Sequence, residues 1–356
     1  MKSAIIGTGF AGQVHAAAIK ASGAEIAVVI AAHEESAEKF AQQWGAPVYG
    51  TDPMLACTDD IDAVHICTPP ATHAELVKLM LEHGKHVLCE KPLSFSAEDA
   101  AEIAAFAKEK NLVTALTFNV RYHMAAQRAK EIIASGELGR PYIIHGTYMQ
   151  EFNAFPAPLD WRYNEVLAGE MRAVTEIGTH WFDTAEYISS KKIKAVSALF
   201  GKFNPERTLT DGVMYPVSVK GDETIKVNSE DAAMVTMKFE DGAIGTVMLS
   251  EISPGRGNYL SLEITCENGN LWWNEEDNNI LNVAKKGDGI KREIFAFGNG
   301  FGDTFTDLVI RFYQAVAKGS TEGLDLPTFA EGAEIAKVCT AVKDSAENDS
   351  VWVSTK

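Results

Sequence analysis

Three glycines near the start of the chain have the spacing of a turn that holds phosphate groups. Gly7, Gly9 and Gly12 follow the short apolar run 3–6, which suits a buried strand, and overlap the start of a helical segment at 11–22. In such a strand–turn–helix unit, the first glycine permits the tight turn and the third lets helix and strand pack closely. The second lets a pyrophosphate approach the backbone, at a helix end whose N–H groups favour anions. We therefore expect a dinucleotide at this turn.

A lysine that follows a later apolar run could move a proton. Lys91 lies between Glu90 and Pro92, directly after the predicted strand 85–89. A lysine at a strand end beside a dinucleotide can bond a substrate hydroxyl and take its proton if its pKa is lowered. Pro92 restricts the lysine backbone. Glu90 could orient Lys91 or be a surface acid, and a solvated lysine without function is the alternative reading.

A second group of polar residues has helical spacing. If their segment is helical, Glu176, His180 and Asp183 lie at i, i+4 and i+7 on one face. A carboxylate one turn from an imidazole can fix its tautomer and raise its basicity, as a general base for a carbinol requires. The alternative is a half-buried histidine on an amphipathic helix. We predict no metal, because no HExxH pattern or other ligand cluster is present.

The end of the second predicted strand bears on the choice of dinucleotide. The strand 25–30 ends in two alanines and a histidine, and the acid that usually follows the glycines by about twenty residues is missing. Glu34 and Glu35 come one step late. Since two nearby carboxylates would repel a 2′-phosphate, the sequence favours NAD over NADP.

Composition limits the class of protein. The 356 residues suggest two domains, and a hydrophobic content of 46% is ample for their cores. The formal charge of −17 argues against nucleic acid and anionic membrane surfaces as partners. No apolar run approaches the roughly twenty residues of a membrane span, and a first strand at residue 3 leaves no room for a signal peptide. Five scattered cysteines fit reduced thiols, so we expect a cytoplasmic protein without a metal site.

The order of predicted elements gives the fold class. In the first 120 residues, short apolar strands alternate with helices, which predicts an α/β doubly wound parallel sheet. The first helix is expected to bury Val14, Ala17, Ala18 and Ala21. Ligands of such sheets bind beyond the carboxyl ends of the strands, where Thr68, Pro69, Glu90, Lys91 and Asn119 fall.

The rest of the chain predicts a different architecture. Alternating residues at 232–239 and 244–249 flank a Glu240-Asp241-Gly242 turn, which indicates an antiparallel hairpin. We predict a domain at 1–121 and an α+β domain at 122–356 with a large, mostly antiparallel open sheet. Such a sheet needs a cover, so we expect a homodimer or homotetramer. The polar segment 204–230 is predicted to be a flexible insert, and it and 150–164 are expected to shape the substrate pocket.

Taken together, the motifs resemble a known enzyme family. They are Gly7-x-Gly9-x-x-Gly12, Cys67-Thr68-Pro69-Pro70 with His73, Glu90-Lys91-Pro92, and Glu176-Ile177-Gly178-Thr179-His180 with Asp183. These are similar to the Gfo/Idh/MocA oxidoreductases, named partly for glucose–fructose oxidoreductase and inositol 2-dehydrogenase. Glu230-Asp231 and the runs 239–245 and 268–271 look like the family's sheet domain. Many members have aspartate where this chain has Glu176, so the role of Glu176 relative to His180 and Asp183 is left open.

The resemblance implies a Rossmann domain and an NAD(P)-dependent dehydrogenase acting on CH–OH groups of sugars, cyclitols or their derivatives. The implied catalytic residues are Lys91, His180 and Glu176, with Lys91 and His180 handling the hydroxyl proton. The implied cofactor residues are Gly7, Gly9, Phe10, Gly12, Thr68, Pro69, His73, Glu90, Lys91 and Asn119. The implied substrate residues are Lys91, Arg121, Tyr122, Trp161, Arg162, Asp183 and His180.

Two other activities use the same motifs. Some relatives hold NAD tightly, oxidise a sugar carbon transiently, cleave a glycosidic bond and take the hydride back, which would make this chain a redox-neutral glycosidase. The other is a non-catalytic sensor of NAD(P)H. The presence of Lys91 and His180 argues against the sensor, since a pure binder has no use for a proton-transfer pair.

Overall fold

The computed structural model describes residues 1–215 and 223–356, which form two compact units. The first unit consists of Met1–Tyr122 and Gly300–Ala336, and the second of His123–Asn299 and Lys337–Lys356. The helices are α1 (Phe10–Ala21), α2 (Glu34–Trp44), α3 (His73–Glu82), α4 (Ala97–Glu109), α5 (Met124–Ser135), α6 (Glu165–Ala168), α7 (Thr179–Ser189), α8 (Phe301–Lys318) and α9 (Phe329–Glu347).

The first unit is built on a six-stranded parallel sheet in the order β3-β2-β1-β4-β5-β6. Its strands are β1 (Lys2–Ile6), β2 (Glu25–Ile30), β3 (Val48–Gly50), β4 (Ala63–Ile66), β5 (His86–Cys89) and β6 (Thr114–Leu116). The strand order reverses between β1 and β4, and this switch point is where doubly wound sheets bind ligands. The predicted doubly wound parallel sheet is confirmed.

The buried face of α1 differs from the prediction. Ala17 and Ala21 are exposed, and the helix instead buries a face that includes His15, Ala16 and Ile19. The apolar pattern was misleading because the ring of His15 is completely buried and hydrogen-bonded. A satisfied polar side chain can lie in a core at low cost.

A late segment of the chain completes the core of the first unit. Helix α8 packs on α1 and contributes Phe305, Leu308, Val309 and Phe312, all buried, to the same core. The sequence prediction placed all of 122–356 in the second domain. The structure instead groups residues 300–336 with the first unit, because the apolar face of α8 fills its core.

The second unit contains a nine-stranded sheet in the order β18-β17-β16-β15-β7-β14-β13-β9-β19, antiparallel except between β7 and β14. Its strands are β7 (Pro141–Met149), β9 (Ile193–Gly201), β13 (Ala232–Phe239), β14 (Ile244–Ser250), β15 (Tyr259–Cys266), β16 (Gly269–Asn274), β17 (Ile280–Lys285), β18 (Ile290–Ile294) and β19 (Val353–Ser354). Strand β13 buries Val235 and Met237 and exposes Met234, as its alternation predicted. The predicted large, mostly antiparallel sheet is confirmed.

The segment expected to be a flexible insert contains strands. A second, four-stranded sheet has the order β12-β10-β11-β8, with β8 (Ala157–Pro158), β10 (Glu206–Thr210), β11 (Val213–Tyr215) and β12 (Glu223–Lys226). The prediction of a flexible insert is therefore wrong for these strands, whose polar side chains concealed regular backbone pairing. Residues 216–222, which belong to the same prediction, lie outside the described part of the chain. Among the described residues, no helix is both long and apolar enough to cross a bilayer.

Candidate active site

The glycine turn after β1 has the shape that its spacing predicts. Gly7 has φ +106°, and a Cβ there would lie 2.5 Å from the Cys67 carbonyl oxygen. A Cβ on Gly12 would lie 2.2 Å from the Gly7 carbonyl oxygen. Gly9, the N-cap of α1, is exposed, and a Cβ built there meets no atom within 4 Å. Gly7 and Gly12 are thus required by the fold, whereas Gly9 leaves an open cradle at the helix N-terminus that fits a pyrophosphate.

This difference yields a matched pair of variants. Gly9→Ala is expected to change stability by less than about 1 kcal/mol and to raise the Kd for NADH by about tenfold or more, because its methyl group fills the cradle. Gly12→Ala is expected to destabilise the fold by about 1–3 kcal/mol through overpacking. Thermal unfolding and NADH titration by fluorescence measure both. Equal NADH affinity in Gly9→Ala and the wild type would argue against a phosphate at Gly9.

Other predicted cofactor residues surround the same edge of the sheet. Thr68 and Pro69 follow β4, and the Thr68 hydroxyl accepts a hydrogen bond of 2.7 Å from Thr72. His73 is buried, with Nδ1 2.7 Å from the Pro92 carbonyl oxygen and Nε2 2.9 Å from the Thr68 carbonyl oxygen. Only an imidazolium could donate to both carbonyl oxygens. Burial lowers the pKa of His73, which favours a neutral ring that donates to one of them. In the structure, His73 joins the loops that follow β4 and β5.

The segment after β5 holds the predicted catalytic lysine. The Lys91 main-chain N–H donates to the Glu90 carboxylate and to the Thr117 hydroxyl, each at 3.2 Å. Thr117 in turn donates to Glu90 Oε2 at 2.7 Å. Burial alone would raise the pKa of Glu90, but the hydrogen bonds from His15 and Thr117, with the nearby charges of His15 and Lys91, together lower this pKa to about 2. Glu90 is therefore an anchor for the Lys91 backbone and not a surface acid.

Three residues predicted to contact cofactor or substrate have partners within the first unit. Asn119 is buried and donates to the Thr304 hydroxyl of α8 at 2.8 Å. Arg121 is 4% exposed and pairs with Glu331 at 2.8 Å. These partners could not be predicted from the sequence, since they lie in residues 300–336, more than 180 positions away.

Tyr122 is also buried in this unit, and its hydroxyl donates to the Asp325 carbonyl oxygen at 3.1 Å. Arg121 and Tyr122 thus both bond to residues of the segment 300–336, and their contact with substrate stays a prediction.

The second unit holds the predicted histidine on a helix with an unexpected first turn. A π-helical turn, Val174–Gly178, carries Glu176 and leads directly into α7, which carries His180 and Asp183. The wider turn changes the simple i, i+4, i+7 stacking expected of an α-helix. Glu176 and His180 are half-buried, whereas Asp183 is 1% exposed. The contact of Asp183 with substrate stays a prediction.

The predicted loop residues lie beside this helix. Arg162 Nε donates to Glu176 Oε2 at 3.1 Å, and its guanidinium stacks over the Trp161 ring with 4.5 Å to the centroid. The His180 ring meets the Tyr148 ring edge-on at 6.5 Å between centroids. The structure thus brings Trp161, Arg162 and Glu176 together, and the ion pair holds the loop against the π-helical turn.

A cluster of buried charges at the start of this helical segment was not predicted from the sequence. Arg172 donates from Nε to Glu251 at 2.7 Å and from a terminal nitrogen to Asp231. Arg207 donates to the same Asp231 oxygen at 3.1 Å. Glu230 accepts from the main-chain N–H of Arg172 at 3.1 Å and from that of residue 174 at 2.8 Å. The cluster therefore fixes the start of the segment that carries Glu176 and His180.

The same cluster also holds the loop 152–163. Asn153 donates to Glu251 at 2.7 Å and accepts from the Tyr163 hydroxyl at 2.7 Å. The Tyr163 ring lies 4.8 Å from the guanidinium carbons of both Arg172 and Arg207. Buried, hydrogen-bonded charges of this kind specify one arrangement of the segments they join. The sequence pattern singles out the Glu230-Asp231 pair, but not its partners Arg172 and Arg207, which lie 59 and 24 positions from Asp231.

The cluster predicts an unusual dependence of stability on pH. It contains two guanidiniums and three carboxyls, and burial raises the pKa of Glu230 from an ordinary 4.5 to about 7. Between pH 4.5 and about pH 7, the native state binds more protons than the unfolded state. The free energy of unfolding therefore falls as pH rises through this range. Compared with Glu230→Gln, the wild type should lose roughly 3 kcal/mol over this window. Urea unfolding of both proteins from pH 5 to 7.5 measures this, and a constant difference would contradict it.

Comparison with known proteins gives this arrangement a family. Residues 1–118 match the model of the Gfo/Idh/MocA oxidoreductase family with an NAD-binding Rossmann fold, and residues 126–272 match the Gfo/Idh/MocA C-terminal domain. A levoglucosan dehydrogenase of Pseudarthrobacter phenanthrenivorans is 33% identical, over 98% of this chain and 96% of its own. The chain belongs to the Gfo/Idh/MocA oxidoreductase family.

Two further known proteins are similar to this chain over most of its length. A myo-inositol 2-dehydrogenase of Thermotoga maritima is 27% identical, over 90% of this chain and 89% of its own. The solved structure of a levoglucosan dehydrogenase in complex with NADH and L-sorbose has a TM-score of 0.90 and 30% identity, and covers 100% of this chain and 99% of that one. The predicted family, the predicted Rossmann domain and the predicted NAD(P)-dependent oxidoreductase are confirmed.

Across residues 1–215 and 223–356, no group of three or more histidine, cysteine, aspartate or glutamate side chains could hold a metal ion.

Proposed function

We propose that this chain is an NAD(P)-dependent dehydrogenase of a sugar, a cyclitol or a related polyol, in which Lys91 and His180 handle the hydroxyl proton. The observation that carries the proposal is the position of Lys91, at the carboxyl end of β5 in a Rossmann sheet. Its backbone is held by Glu90 and Thr117. The relatives, which are named as dehydrogenases of levoglucosan and myo-inositol, support the substrate class.

The residues of each unit would have distinct tasks. Bound NAD(P) supplies the acceptor or donor of a hydride. The open backbone at Gly9 and the N-terminus of α1 would hold the phosphates, with Phe10, Thr68 and Pro69 nearby. Lys91 would bond the substrate hydroxyl and His180 would take its proton. Glu176, held by Arg162, would orient the substrate or His180.

We also propose that the cofactor is NAD and not NADP. Glu34 and Glu35 begin α2 directly after the N-cap His33, so both carboxylates lie in the first turn beyond β2. Negative charge there would oppose a 2′-phosphate.

The test is nicotinamide absorbance with NAD and NADP against a panel of sugars, inositols and anhydrosugars. Reduction with one class of polyol would support the dehydrogenase and settle the cofactor. If cofactor binds without net reduction and a glycoside is cleaved with catalytic NAD, the redox-neutral glycosidase would replace it. Binding without either reaction would leave the chain without the proposed activity.

His180→Asn tests the proposed base. We expect kcat to fall by about 10²–10⁴-fold, most strongly at low pH, where little hydroxide can replace the imidazole. Steady-state kinetics across pH measure it. His145→Asn, a change at a partly exposed histidine of β7, serves as the control and should leave kcat unchanged. A fully active His180→Asn enzyme would remove His180 from the mechanism.

We also propose a homo-oligomer and a cytoplasmic location. One face of the nine-stranded sheet exposes apolar side chains, including Leu199 at 60%, Met234 at 58% and Ile244 at 56%. A second copy covering this face would remove them from water, and light scattering would give the mass of a dimer or tetramer. In the described part of the chain no disulfide joins the five cysteines, which fits a reducing compartment.

A further inference from the structure

A chain of buried hydrogen bonds runs through the first unit and ends at Glu90. His15 Nε2 lies 3.2 Å from Glu90 Oε1, and His15 Nδ1 lies 2.9 Å from His65 Nδ1. His65 Nε2 lies 2.8 Å from the Tyr313 hydroxyl, which lies 2.7 Å from the Ser3 hydroxyl. The side chains of Ser3, His15 and His65 are completely buried. The chain therefore connects α1, β4, α8 and β1 to the residue before Lys91.

Hydrogen-bond chemistry restricts the protons in this chain. Glu90 is ionised and can only accept, so His15 Nε2 must carry a proton. Burial holds the pKa of His65 well below its usual value, so His65 is neutral and has one N–H. If His15 is neutral, Ser3 donates to Tyr313, Tyr313 to His65, His65 to His15, and His15 to Glu90. If His15 is an imidazolium, it donates from Nδ1 to His65, His65 donates to Tyr313, and Tyr313 donates to Ser3. His15 Nε2 still donates to Glu90. The bond to Glu90 is common to both states.

This bond assigns each oxygen of the Glu90 carboxylate. Oε1 accepts from His15, while Oε2 accepts from Thr117 and from the Lys91 main chain. Without a donor at Oε1 the carboxylate is free to turn or take up a proton, and the backbone of Lys91 loses its fixed partner. We propose that His15, held by His65, is a positioning residue that fixes Glu90 and, through it, Lys91. This rests on the proposed function, since its effect on turnover is exerted through Lys91.

Two substitutions at His15 separate positioning from packing. The amide of glutamine reaches the place of Nε2, and the amide of asparagine reaches the place of Nδ1. His15→Gln keeps the donor to Glu90 and gives up the bond to His65, whereas His15→Asn does the reverse. Each loses one buried hydrogen bond, and we expect His15→Asn to lose more thermal stability than His15→Gln, because the bond it gives up is to a charged carboxylate.

The two variants should differ in turnover. We expect His15→Asn to lower kcat by about 10²-fold, since small displacements of a catalytic group have effects of this size. His15→Gln should keep most of the wild-type kcat, and both should bind NADH like the wild type. Equal losses of kcat in two folded variants would overturn the inference and leave His15 with a packing role.

A second measurement does not need a substrate. Long-range ¹H–¹⁵N spectra of the wild-type protein distinguish a protonated ring nitrogen from a bare one, and the His15 signals are those missing in His15→Gln. A proton on Nε2 is expected; a bare Nε2 would overturn the bond to Glu90. If the wild type turned over no polyol with NAD or NADP, the proposed function would fail, and these spectra would still decide whether His15 holds Glu90.

Discussion

Replacing Lys91 by methionine is expected to lower kcat by about 10³-fold or more, the effect of losing a general acid–base group, while NADH still binds. Methionine keeps the length and apolar part of the side chain but cannot bond a hydroxyl or move a proton. The Lys91 backbone would stay in place, because its main-chain N–H is bonded to Glu90 and Thr117. Nicotinamide absorbance gives kcat, and fluorescence titration gives the Kd for NADH.

A matched change on the surface provides the control. Lys78 of α3 forms an exposed pair with Glu102 at 3.5 Å, so Lys78→Met removes the same charge without touching the predicted site. It should leave kcat and NADH binding unchanged. Loss of NADH binding in a folded Lys91→Met protein would mean that Lys91 is chiefly a cofactor ligand and would contradict its proposed role in proton transfer.

Arg172→Met is expected to destabilise the protein by about 3–5 kcal/mol, the usual cost of breaking a buried ion pair. The change would leave Asp231 and Glu251 buried with one guanidinium, that of Arg207, in place of two. Urea unfolding followed by tryptophan fluorescence measures the loss. Because the cluster holds the loop 152–163, we also expect residues of that loop to become sensitive to protease before global unfolding.

The control for this change is an exposed arginine. Arg256 pairs with Glu276 at 3.1 Å with 45% of its side chain exposed, so Arg256→Met should cost no more than about 1 kcal/mol. If Arg172→Met were no more costly than Arg256→Met, the buried cluster would not contribute to the stability of this unit.

The sequence predicted those features of the first unit that depend on neighbours in the chain. Strand–turn–helix order and the glycine spacing identify the turn at Gly7, and a lysine after an apolar run identifies the end of β5. The partners of His65 could not be predicted in this way. Its contact Tyr313 lies 248 positions away, and nothing in the local pattern shows that α8 returns to the first sheet.

In the second unit, the sequence did not show which charged residues are buried. Glu176 and His180 stood out because helical spacing is visible in one segment. The ion pair of Arg172 and Glu251 could not be predicted, since these residues are 79 positions apart in the sequence and only the fold buries them together. The strands in 204–226 were missed because the segment is polar and rich in turn-forming residues, although its backbones pair regularly.

The return of residues 300–336 to the first unit has a consequence for the order in which the chain folds. When the ribosome has made residues 1–122, it has made the segments of all six strands of the parallel sheet. It has not yet made the buried phenylalanines and leucine of α8 that complete the core. The whole of 123–299 is made before them. The nucleotide-binding half of this chain is started first, yet its apolar core remains incomplete and exposed to chaperones and proteases until the segment that contains α8 has left the ribosome.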